Sequence, residues 1–419
     1  MMREPREASR EVMTVREAAA AKAAQRNLRR MDRRAVVHGM ADALAAHAAG
    51  ILAANEQDLR DAMDLDATML DRLRLDRHRI DALLGSMRAI AEMQDPVDRV
   101  LEQRTLQNGL YLQRRSVPLG VIGMIYESRP DVTADAAAMC IRAGSAVLLK
   151  GGSEAIATNT AMVGAIREGL MRAGIGRDAG HLVQLVGRER LPAMLASSEI
   201  DLMVPRGSER LIALVRRRSR APVLASGGGN CHIYVHEDAD MAKAIRIIVN
   251  AKTQRPGVCN AVETVLVHQR VAREFLPLLQ HELYELRGIV LRGCARCQRI
   301  ITCEAAAAAD WRTEYLAPIL ALRVIPSMAQ AMRHIERYGT GHSEAIITED
   351  KEAQDLFLRD VDAAVVYANA STRFTDGGQF GMGAELGIST QKVHCRGPIG
   401  LDALVSSKWE VHGDGQVRA

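Results

Sequence analysis

The chain has 419 residues, of which 48% are hydrophobic and 25% charged, and its 55 Lys and Arg against 51 Asp and Glu leave a net charge of only +4. This balance argues against a nucleic-acid coat protein and a polybasic membrane-surface protein. Only 3% of the residues are aromatic, so a base-stacking platform is not expected. The length predicts two or three domains with a sizeable core.

The first hundred residues predict helices, since residues 18–53 carry apolar side chains at helical spacing and Asp95-Pro96 breaks the pattern. Residues 1–20 mix Arg with Glu and contain no long apolar run, which predicts a cytoplasmic protein without a targeting signal or membrane span. Residues 110–117 then alternate apolar and polar side chains, as an exposed strand does.

From residue 118 onward, short apolar runs alternate with helical segments, which predicts an α/β fold with parallel sheets. Gly227-Gly228-Gly229 indicates a hinge between two such series, and residues 290–312 are the least regular segment. The predicted strands are 121–125, 146–149, 182–186, 202–204 and 223–225 in the first series, and 233–235, 264–267, 322–325, 345–347 and 364–367 in the second.

The chain contains seven cysteines, an odd and sparse set that disfavours a disulfide framework and fits a reducing compartment. Cys259 stands out because Pro256-Gly257 precedes it and predicts a loop. Such a loop can present a thiol and aim backbone N–H groups at a developing oxyanion. A buried structural cysteine is the alternative that the local sequence leaves open.

Residues 254–259 (QRPGVC) resemble the nucleophile loop of the aldehyde dehydrogenase superfamily. Longer strings at 114–123, 125–130, 249–256 and 369–381 are similar to the gamma-glutamyl phosphate reductases, also called glutamate-5-semialdehyde dehydrogenases. The resemblance covers about residues 18–419 and is weakest at 288–311.

The resemblance implies an aldehyde-dehydrogenase-like α/β fold with two doubly wound domains and a small oligomerisation element. The implied parts are a dinucleotide-binding domain (1–105 and 119–228), a catalytic domain (229–392) and an oligomerisation element (106–118 and 393–419). In that element the strand near 106–118 is expected to pair with the C-terminal segment across subunits, giving a homo-dimer or tetramer.

The family's reaction would be the NADPH-dependent reduction of L-glutamyl 5-phosphate to L-glutamate 5-semialdehyde and phosphate, through a Cys259 thioester, in proline biosynthesis. No metal, membrane or nucleic acid is implied, and coupling to glutamate 5-kinase is a possible partnership. Residues 224–229 (LASGGG) lack the Glu with which hydrolytic members activate water, which fits an acyl-enzyme that is not hydrolysed. The resemblance places Ser128 where the superfamily has its oxyanion Asn, so the Cys259 N–H is the predicted oxyanion donor.

Three sets of side chains are candidates for the site. Lys252 and Arg255 are nearby cations that could favour the Cys259 thiolate. The predicted substrate-binding residues, with arginines suited to carboxylate or phosphate, are Arg129, Arg255, Asn369, Ser371 and Arg373. The predicted cofactor-binding residues are Lys150, Gly151, Gly152, Ser153, Arg206, Gly207, Ser208, Ser226, Gly227 and Glu314. A carboxylate at Glu154 would repel a ribose 2′-phosphate, so NAD remains open as the alternative to NADP.

Two further features have plain interpretations. Cys294 and Cys297 have C-x-x-C spacing with Cys303 nearby, but no second pair or His follows at zinc-finger spacing, so they are interpreted as incidental. Six arginines within 206–220 predict a solvated helix face. A non-catalytic nucleic-acid binder that uses this cluster is the alternative from another class, and its binding would depend steeply on salt.

Overall fold

The computed structural model describes residues 5–62, 65, 67–127, 129–175 and 179–418, without the side chains of 5–15, 67, 68 and 179. The chain forms two compact units. Unit 1 contains residues 1–226, 381–387 and 399–419, and unit 2 contains residues 227–380 and 388–398. The division after Ser226 lies directly before the run Gly227-Gly228-Gly229.

The amino-terminal part of unit 1 is helical, as its sequence predicts. Asp32 and Asp76 begin two of these helices, each with a side-chain oxygen that accepts backbone N–H groups of the first turn. Val37, Met40 and Leu44 lie on one helix face and are fully buried. The helices are α1 (Pro5–Leu28), α2 (Arg33–Ala46), α3 (Ala48–Asp61), α4 (Ala67–Leu73) and α5 (Arg77–Glu92).

None of the described helices is by itself long and apolar enough to span a membrane. Helices α2 and α3, which meet at a bend of 66°, together have the length and composition of a membrane span.

A four-stranded parallel sheet forms the centre of unit 1, with strand order β5-β4-β3-β6. Every residue of β3 is buried, as expected for a parallel strand covered on both faces. Its strands are β3 (Val121–Tyr126), β4 (Ala146–Lys150), β5 (Val183–Leu185) and β6 (Leu202–Arg206). Its helices are α6 (Asp131–Arg142), α7 (Ile156–Arg172), α8 (Ala179–Leu182), α9 (Leu191–Ala196) and α10 (Glu209–Arg218). The strand predicted at 223–225 is reduced to one bridge between Val223 and Met203.

A separate three-stranded antiparallel sheet completes unit 1 and contains β1 (Val100–Thr105), β2 (Tyr111–Pro118) and β16 (Val405–His412). The central strand β2 pairs with β1 on one side and, over its whole length, with β16 on the other. The pairing that was expected across subunits is thus made within one chain. The alternating pattern of residues 110–117 correctly indicated this strand.

Unit 2 contains a seven-stranded parallel sheet with the order β10-β9-β11-β8-β7-β12-β13. The strands are β7 (Cys231–Val235), β8 (Val262–His268), β9 (Val290–Gly293), β10 (Glu304–Ala305), β11 (Ile319–Ile325), β12 (Ser343–Ile347) and β13 (Val365–Ala368). The helices are α11 (Met241–Thr253), α12 (Ala272–Gln280), α13 (Ala295–Gln298), α14 (Met328–Tyr338) and α15 (Lys351–Asp360). A two-stranded antiparallel sheet joins β14 (Ile388–Ser389) to β15 (Gly397–Pro398).

The segment predicted to be least regular, 290–312, contributes two strands to this sheet. Leu291 and Cys297 from this segment are buried in the core with the side chains of α11 and α12. The strands are only four and two residues long. Such short runs give little periodic signal in a sequence, although the parallel pairing with β11 is regular.

A buried histidine in unit 2 should make stability depend on pH. His342 is 0% exposed, and burial lowers its pKa from 6.5 to about 4. The folded state thus disfavours the protonated ring, so its contribution is present above pH 6.5 and is lost as pH falls toward 4. We expect this group to reduce the free energy of unfolding by about 3 kcal/mol over that interval.

The measurement is urea unfolding across this pH range for the wild type, His342→Gln and His78→Gln. The His342→Gln variant should show a shallower loss of stability on acidification than the wild type. His78 is exposed, so its variant should keep the wild-type slope. Equal slopes for the wild type and His342→Gln would contradict the assignment.

Candidate active site

Cys259 lies in the turn between α11 and β8, with its side chain half-buried. The Ala261 N–H donates to the Val258 carbonyl at 3.0 Å and closes this turn around Cys259. The loop that Pro256-Gly257 predicted is therefore present. It places a thiol between a helix end and a buried strand, where the backbone is held at both sides.

Gly229 contacts the backbone of Cys259 so closely that no larger residue fits. A Cβ at position 229 would lie 2.7 Å from the Cys259 Cα and closer still to its carbonyl group. The Cys231 thiol donates to the same carbonyl at 3.2 Å. The chain segment that leads into β7 thus fixes the position of the Cys259 main chain.

Arg373 joins a second loop to the Cys259 turn. Its guanidinium donates to Gln254 Oε1 at 2.8 Å and to Asn260 Oδ1, and the charges of Arg255 and Cys259 act on it. Partial burial lowers the pKa of Arg373, although a guanidinium remains charged in any ordinary solvent. Two predicted arginines and the predicted nucleophile are therefore brought together.

Asn260, which the sequence did not single out, holds that second loop in place. Its side-chain amide donates to the Thr375 carbonyl at 2.9 Å, and its own carbonyl accepts from the Thr372 hydroxyl at 2.7 Å. Ser371 is buried and begins the short 3₁₀ helix there, with its hydroxyl accepting from the Arg373 N–H. The only signal for Asn260 was its place directly after Cys259, at the end of the matched string 254–259.

The side chain of Asn369 forms hydrogen bonds with the backbone of Thr348, directly after the neighbouring strand β12. Its side chain accepts from the Thr348 N–H at 3.0 Å and donates to the Thr348 carbonyl at 2.8 Å. Its own φ of 56° is left-handed, which Asn tolerates better than most residues. These bonds shape the exit from β13.

Lys252 does not act as an uncompensated cation beside the thiol, as its place in the sequence suggested. Its ammonium lies 2.6 Å from Glu263 Oε2, and both side chains are fully buried. Burial lowers the pKa of Lys252 and raises that of Glu263. The ion pair joins the end of α11 to the start of β8 and so holds together the two ends of the turn that contains Cys259.

Glu314 also reaches this region of unit 2. Its Oε1 accepts from the Gly229 N–H at 2.8 Å. Gly229 therefore contacts Cys259 through its Cα and Glu314 through its N–H. Nearby, the Gly227 N–H donates to the Ile388 carbonyl at 3.2 Å, and a Cβ at position 227 would lie 2.9 Å from Thr390 Cγ2.

In unit 1, the predicted cofactor-binding loops leave neighbouring strands at the same edge of the sheet. Lys150 ends β4 beside Ile125 of β3, and Arg206 ends β6 beside Tyr126 of β3. Carboxyl ends of parallel strands are where open α/β sheets bind ligands. The pKa of Lys150 is lowered, mainly because burial disfavours the charged ammonium. The Arg188 charge acts in the same direction, and the charges of Glu154 and Glu127 oppose it.

The glycines of these loops are required by close neighbours. A Cβ at Gly151 would lie 3.2 Å from the Tyr126 ring and closer still to Asn159. A Cβ at Gly152 would lie 2.5 Å from Glu154 Oε2, so the Glu154 carboxylate folds back over this backbone. Ser153 opens the short 3₁₀ helix that leads into α7.

Glu127 is a residue that the sequence did not single out, although it lies in a matched string. Its carboxylate accepts from the Ser208 N–H at 2.8 Å and from the Ser208 hydroxyl at 3.2 Å. A Cβ at Gly207 would lie 2.7 Å from the Glu127 Cδ. Glu127 thus stands at the amino end of α10, where backbone N–H groups favour an anion.

The remaining predicted residues have simpler surroundings. Arg129 is half-buried and its carbonyl accepts from the Val132 N–H in the first turn of α6. Ser226 lies half-buried at the end of unit 1, with its Cβ 3.2 Å from the position of a Cβ at Gly387. Arg255 is exposed. Ser128, considered for the oxyanion donor, lies outside the described residues.

Known proteins share both the fold and the sequence pattern of this chain. Residues 4–288 match the aldehyde dehydrogenase family model. The crystal structure of an acetylating aldehyde dehydrogenase from Geobacillus thermoglucosidasius superposes with a TM-score of 0.69 at 17% identity, covering 100% of both chains. The protein therefore belongs to the aldehyde dehydrogenase family, and its aldehyde-dehydrogenase-like α/β fold is confirmed.

More specific matches place it within that family. A gamma-glutamyl phosphate reductase from Neisseria meningitidis is 47% identical over 97% of this chain and 99% of its own. One from Nautilia profundicola is 46% identical over 92% and 94%. The crystal structure of the Thermotoga maritima gamma-glutamyl phosphate reductase superposes with a TM-score of 0.93 at 41% identity, covering 96% and 99%. The chain is a member of the gamma-glutamyl phosphate reductases.

Proposed function

We propose that this protein reduces L-glutamyl 5-phosphate to L-glutamate 5-semialdehyde and phosphate with NADPH, as a step of proline biosynthesis in the cytoplasm. The observation that carries the proposal is the half-buried Cys259 thiol in a turn held by Gly229 and Asn260. The names of the relatives, at 46% to 48% identity, support the substrate.

In the proposed reaction, Cys259 Sγ attacks the acyl carbon of the substrate. The bond from that carbon to the phosphate oxygen breaks, inorganic phosphate leaves, and a thioester forms. NADPH, when bound, supplies the hydride that reduces this thioester. Collapse of the resulting thiohemiacetal releases the aldehyde and returns the Cys259 thiolate.

The proposed oxyanion donor is the backbone N–H of Cys259. The side-chain amide of Asn260 is not the proposed donor, because its nitrogen already donates to the Arg373 and Thr375 carbonyls. A backbone donor in a turn that is held from both sides is preorganised, and such donors stabilise developing charge strongly. Residues 224–229 contain no carboxylate to activate water, which favours transfer of the acyl group over hydrolysis.

The proposed substrate contacts are Arg129, Arg255, Asn369, Ser371 and Arg373. Arg255 and Arg373 lie with Cys259 in unit 2 and have the charge to attract a phosphate or carboxylate. For Asn369 and Ser371 the proposed contribution is the shape of their loop, because their side chains are bonded to backbone groups.

The proposed cofactor contacts are Lys150, Gly151, Gly152, Ser153, Arg206, Gly207, Ser208, Ser226, Gly227 and Glu314. The unit 1 loops fit a dinucleotide, because glycines without Cβ atoms line a sheet edge that carries Lys150 and Arg206. NADP is proposed over NAD. The proposal includes no metal.

The test is the reverse reaction, in which glutamate 5-semialdehyde from its pyrroline is oxidised while the absorbance of reduced nicotinamide is followed. We expect turnover that requires inorganic phosphate and is faster with NADP than with NAD. Turnover that persists without phosphate would indicate a hydrolytic dehydrogenase. Absent turnover with tight, salt-sensitive RNA binding would favour the nucleic-acid alternative.

Arg373 provides a prediction about the charge beside the thiol. Changing Arg373 to Gln should lower kcat/KM by about 10- to 100-fold, because a bidentate cation near substrate and thiolate is lost. Alkylation of Cys259 by iodoacetamide, followed by mass spectrometry, should also slow. Arg359→Gln, which removes an exposed arginine paired with Asp360, is the matched control. Unchanged kinetics in Arg373→Gln would contradict this role.

We also propose a homo-dimer or tetramer formed through the sheet of β1, β2 and β16. Trp409 and Val411 on β16 are 46% and 56% exposed, and Val100 and Leu101 on β1 are 43% and 45% exposed. Among the described strands β16 pairs only with β2, so its other edge is available. We also propose functional coupling to glutamate 5-kinase, which would produce the acyl phosphate. The only reason is that acyl phosphates hydrolyse readily in water.

The prediction for this surface is that Trp409→Glu shifts the protein toward monomer in sedimentation velocity. A charge in place of an exposed ring should weaken association at least tenfold, since interface aromatics contribute strongly to binding. Val417→Glu is the control, because Val417 is 91% exposed beyond the end of β16. A wild-type protein that is a stable monomer would contradict the proposal.

A further inference from the structure

Three cysteines of unit 2 that the proposed reaction does not use come together at the start of α13. Cys294 immediately precedes this helix and Cys297 lies within it, and their Sγ atoms are 3.6 Å apart. A Cβ at Gly293 would lie 2.8 Å from the Cys297 Cβ and closer still to the Cys303 Sγ. A glycine at position 293 is thus what allows the thiols to approach.

The two thiols of the C-x-x-C pair have different surroundings. Cys297 is 0% exposed and its Sγ lies 3.4 Å from the Leu322 carbonyl oxygen, whereas Cys294 is half-buried. Cys294 Sγ accepts from the Val324 N–H at 3.4 Å. A half-buried sulfur that accepts a hydrogen bond beside a fully buried thiol fits an attacking and a resolving cysteine.

The ionisation of the pair agrees with this geometry. The hydrogen bond from Cys297, with help from the Val324 N–H, lowers the pKa of Cys294 to about 5 despite burial. The same hydrogen bond, together with burial, raises the pKa of Cys297. Both shifts favour a thiolate at Cys294 and a protonated thiol at Cys297.

We propose that Cys294 and Cys297 form a reversible dithiol–disulfide couple that exchanges with small disulfides such as oxidised glutathione. The Cys294 thiolate attacks one sulfur of the oxidised glutathione, the glutathione S–S bond breaks, and one glutathione thiolate leaves. Cys297 then loses its proton and attacks Cys294 Sγ, which forms the protein disulfide and releases the second glutathione. Starting from the Cys294 thiolate and the Cys297 thiol, the protein loses two electrons and one proton, and the two electrons convert the glutathione disulfide to two glutathione thiolates, which take protons from solvent according to their own pKa.

The step requires only a small movement. A disulfide bond is about 2.05 Å long, so the two sulfur atoms must approach by about 1.5 Å from their separation of 3.6 Å. Cys294 flanks the helix and Cys297 lies at its third residue. Because Cys294 lies outside the helix and is only half-buried, rotation of its side chain is the movement proposed to close this distance.

The experiment treats the full-length protein with oxidised glutathione at pH 7, blocks remaining thiols, and maps tryptic peptides by mass spectrometry. Trypsin cleaves after Arg292, Arg296 and Arg299, so Cys294, Cys297 and Cys303 fall in three different peptides. We expect the peptides 293–296 and 297–299 to be linked, and separated again by dithiothreitol. A link that contains Cys303 instead, or no link, would overturn the proposal.

Variants separate the two roles of the pair. Cys297→Ser should stop at a glutathione adduct on Cys294, and Cys294→Ser should form no link, whereas Cys303→Ser should form it as the wild type does. Because Cys297 is buried in the core, thermal melting checks that its variant is folded, and Cys297→Ala is the second choice. Equal glutathione modification of Cys294 and of the half-buried Cys395 would show a nonspecific reaction and overturn the proposal.

Discussion

Replacing Cys259 with alanine is expected to lower kcat/KM for the phosphate-dependent reaction by at least about 1,000-fold. The thioester cannot form without the sulfur, and no second thiol can take its place in the turn. Cys231, whose sulfur bonds to the Cys259 carbonyl, is fully buried, and burial raises its pKa well above the ordinary value. A thiol in that state is a poor nucleophile.

The measurement is steady-state kinetics in both directions, with NADPH affinity determined separately by fluorescence. The alanine variant should bind the cofactor as the wild type does, because the predicted cofactor loops do not include Cys259. Cys395→Ala is the matched control, since it also removes a half-buried thiol from unit 2. Activity of Cys259→Ala above one tenth of the wild-type value would refute the nucleophile assignment.

Gly229→Ala is expected to have the second largest effect, although residue 229 carries no reactive group. The new methyl group would lie 2.7 Å from the Cys259 Cα, and a backbone atom at that distance must move. We expect kcat/KM to fall by about 100-fold, because displacement of a reacting group by about 1 Å costs that much. The overpacked turn should also lose about 1–3 kcal/mol of unfolding free energy.

Gly257→Ala provides the control from the same loop. A Cβ at Gly257 would meet only the Leu316 carbonyl oxygen at 3.6 Å, which is ordinary van der Waals contact. This variant should keep activity within about threefold of the wild type and melt within a few degrees of it. Urea unfolding and kinetics of both variants decide the matter; equal effects would mean that Gly229 does not position Cys259.

The features that followed from the sequence are those with a local signal. Alternating apolar runs and helical segments predicted both parallel sheets, and Pro256-Gly257 predicted the loop that holds Cys259. The matched strings supplied the family. The sheets, the Cys259 loop and the family could each be predicted from residues close together in the sequence, without knowledge of contacts between distant residues.

What the sequence could not supply depends on partners that lie far apart in the chain. Lys252 was expected to act on the thiol, but it pairs with Glu263 across a turn whose course only the fold determines. Glu127 bonds Ser208, 81 positions away, because β3 and β6 are adjacent in the sheet. Strand order and side-chain direction set both contacts, and no periodic pattern encodes them.

The order in which the units can be completed follows from the pairing of β2 with β16. Residues 111–118 leave the ribosome long before their partner strand, 405–412. All of unit 2 lies between these segments, so its residues are synthesised before unit 1 has all of its strands. Contacts of such long sequence separation form slowly. During translation, β2 therefore has an unpaired edge until residues 405–412 have been synthesised, which is the interval when chaperone protection would matter most.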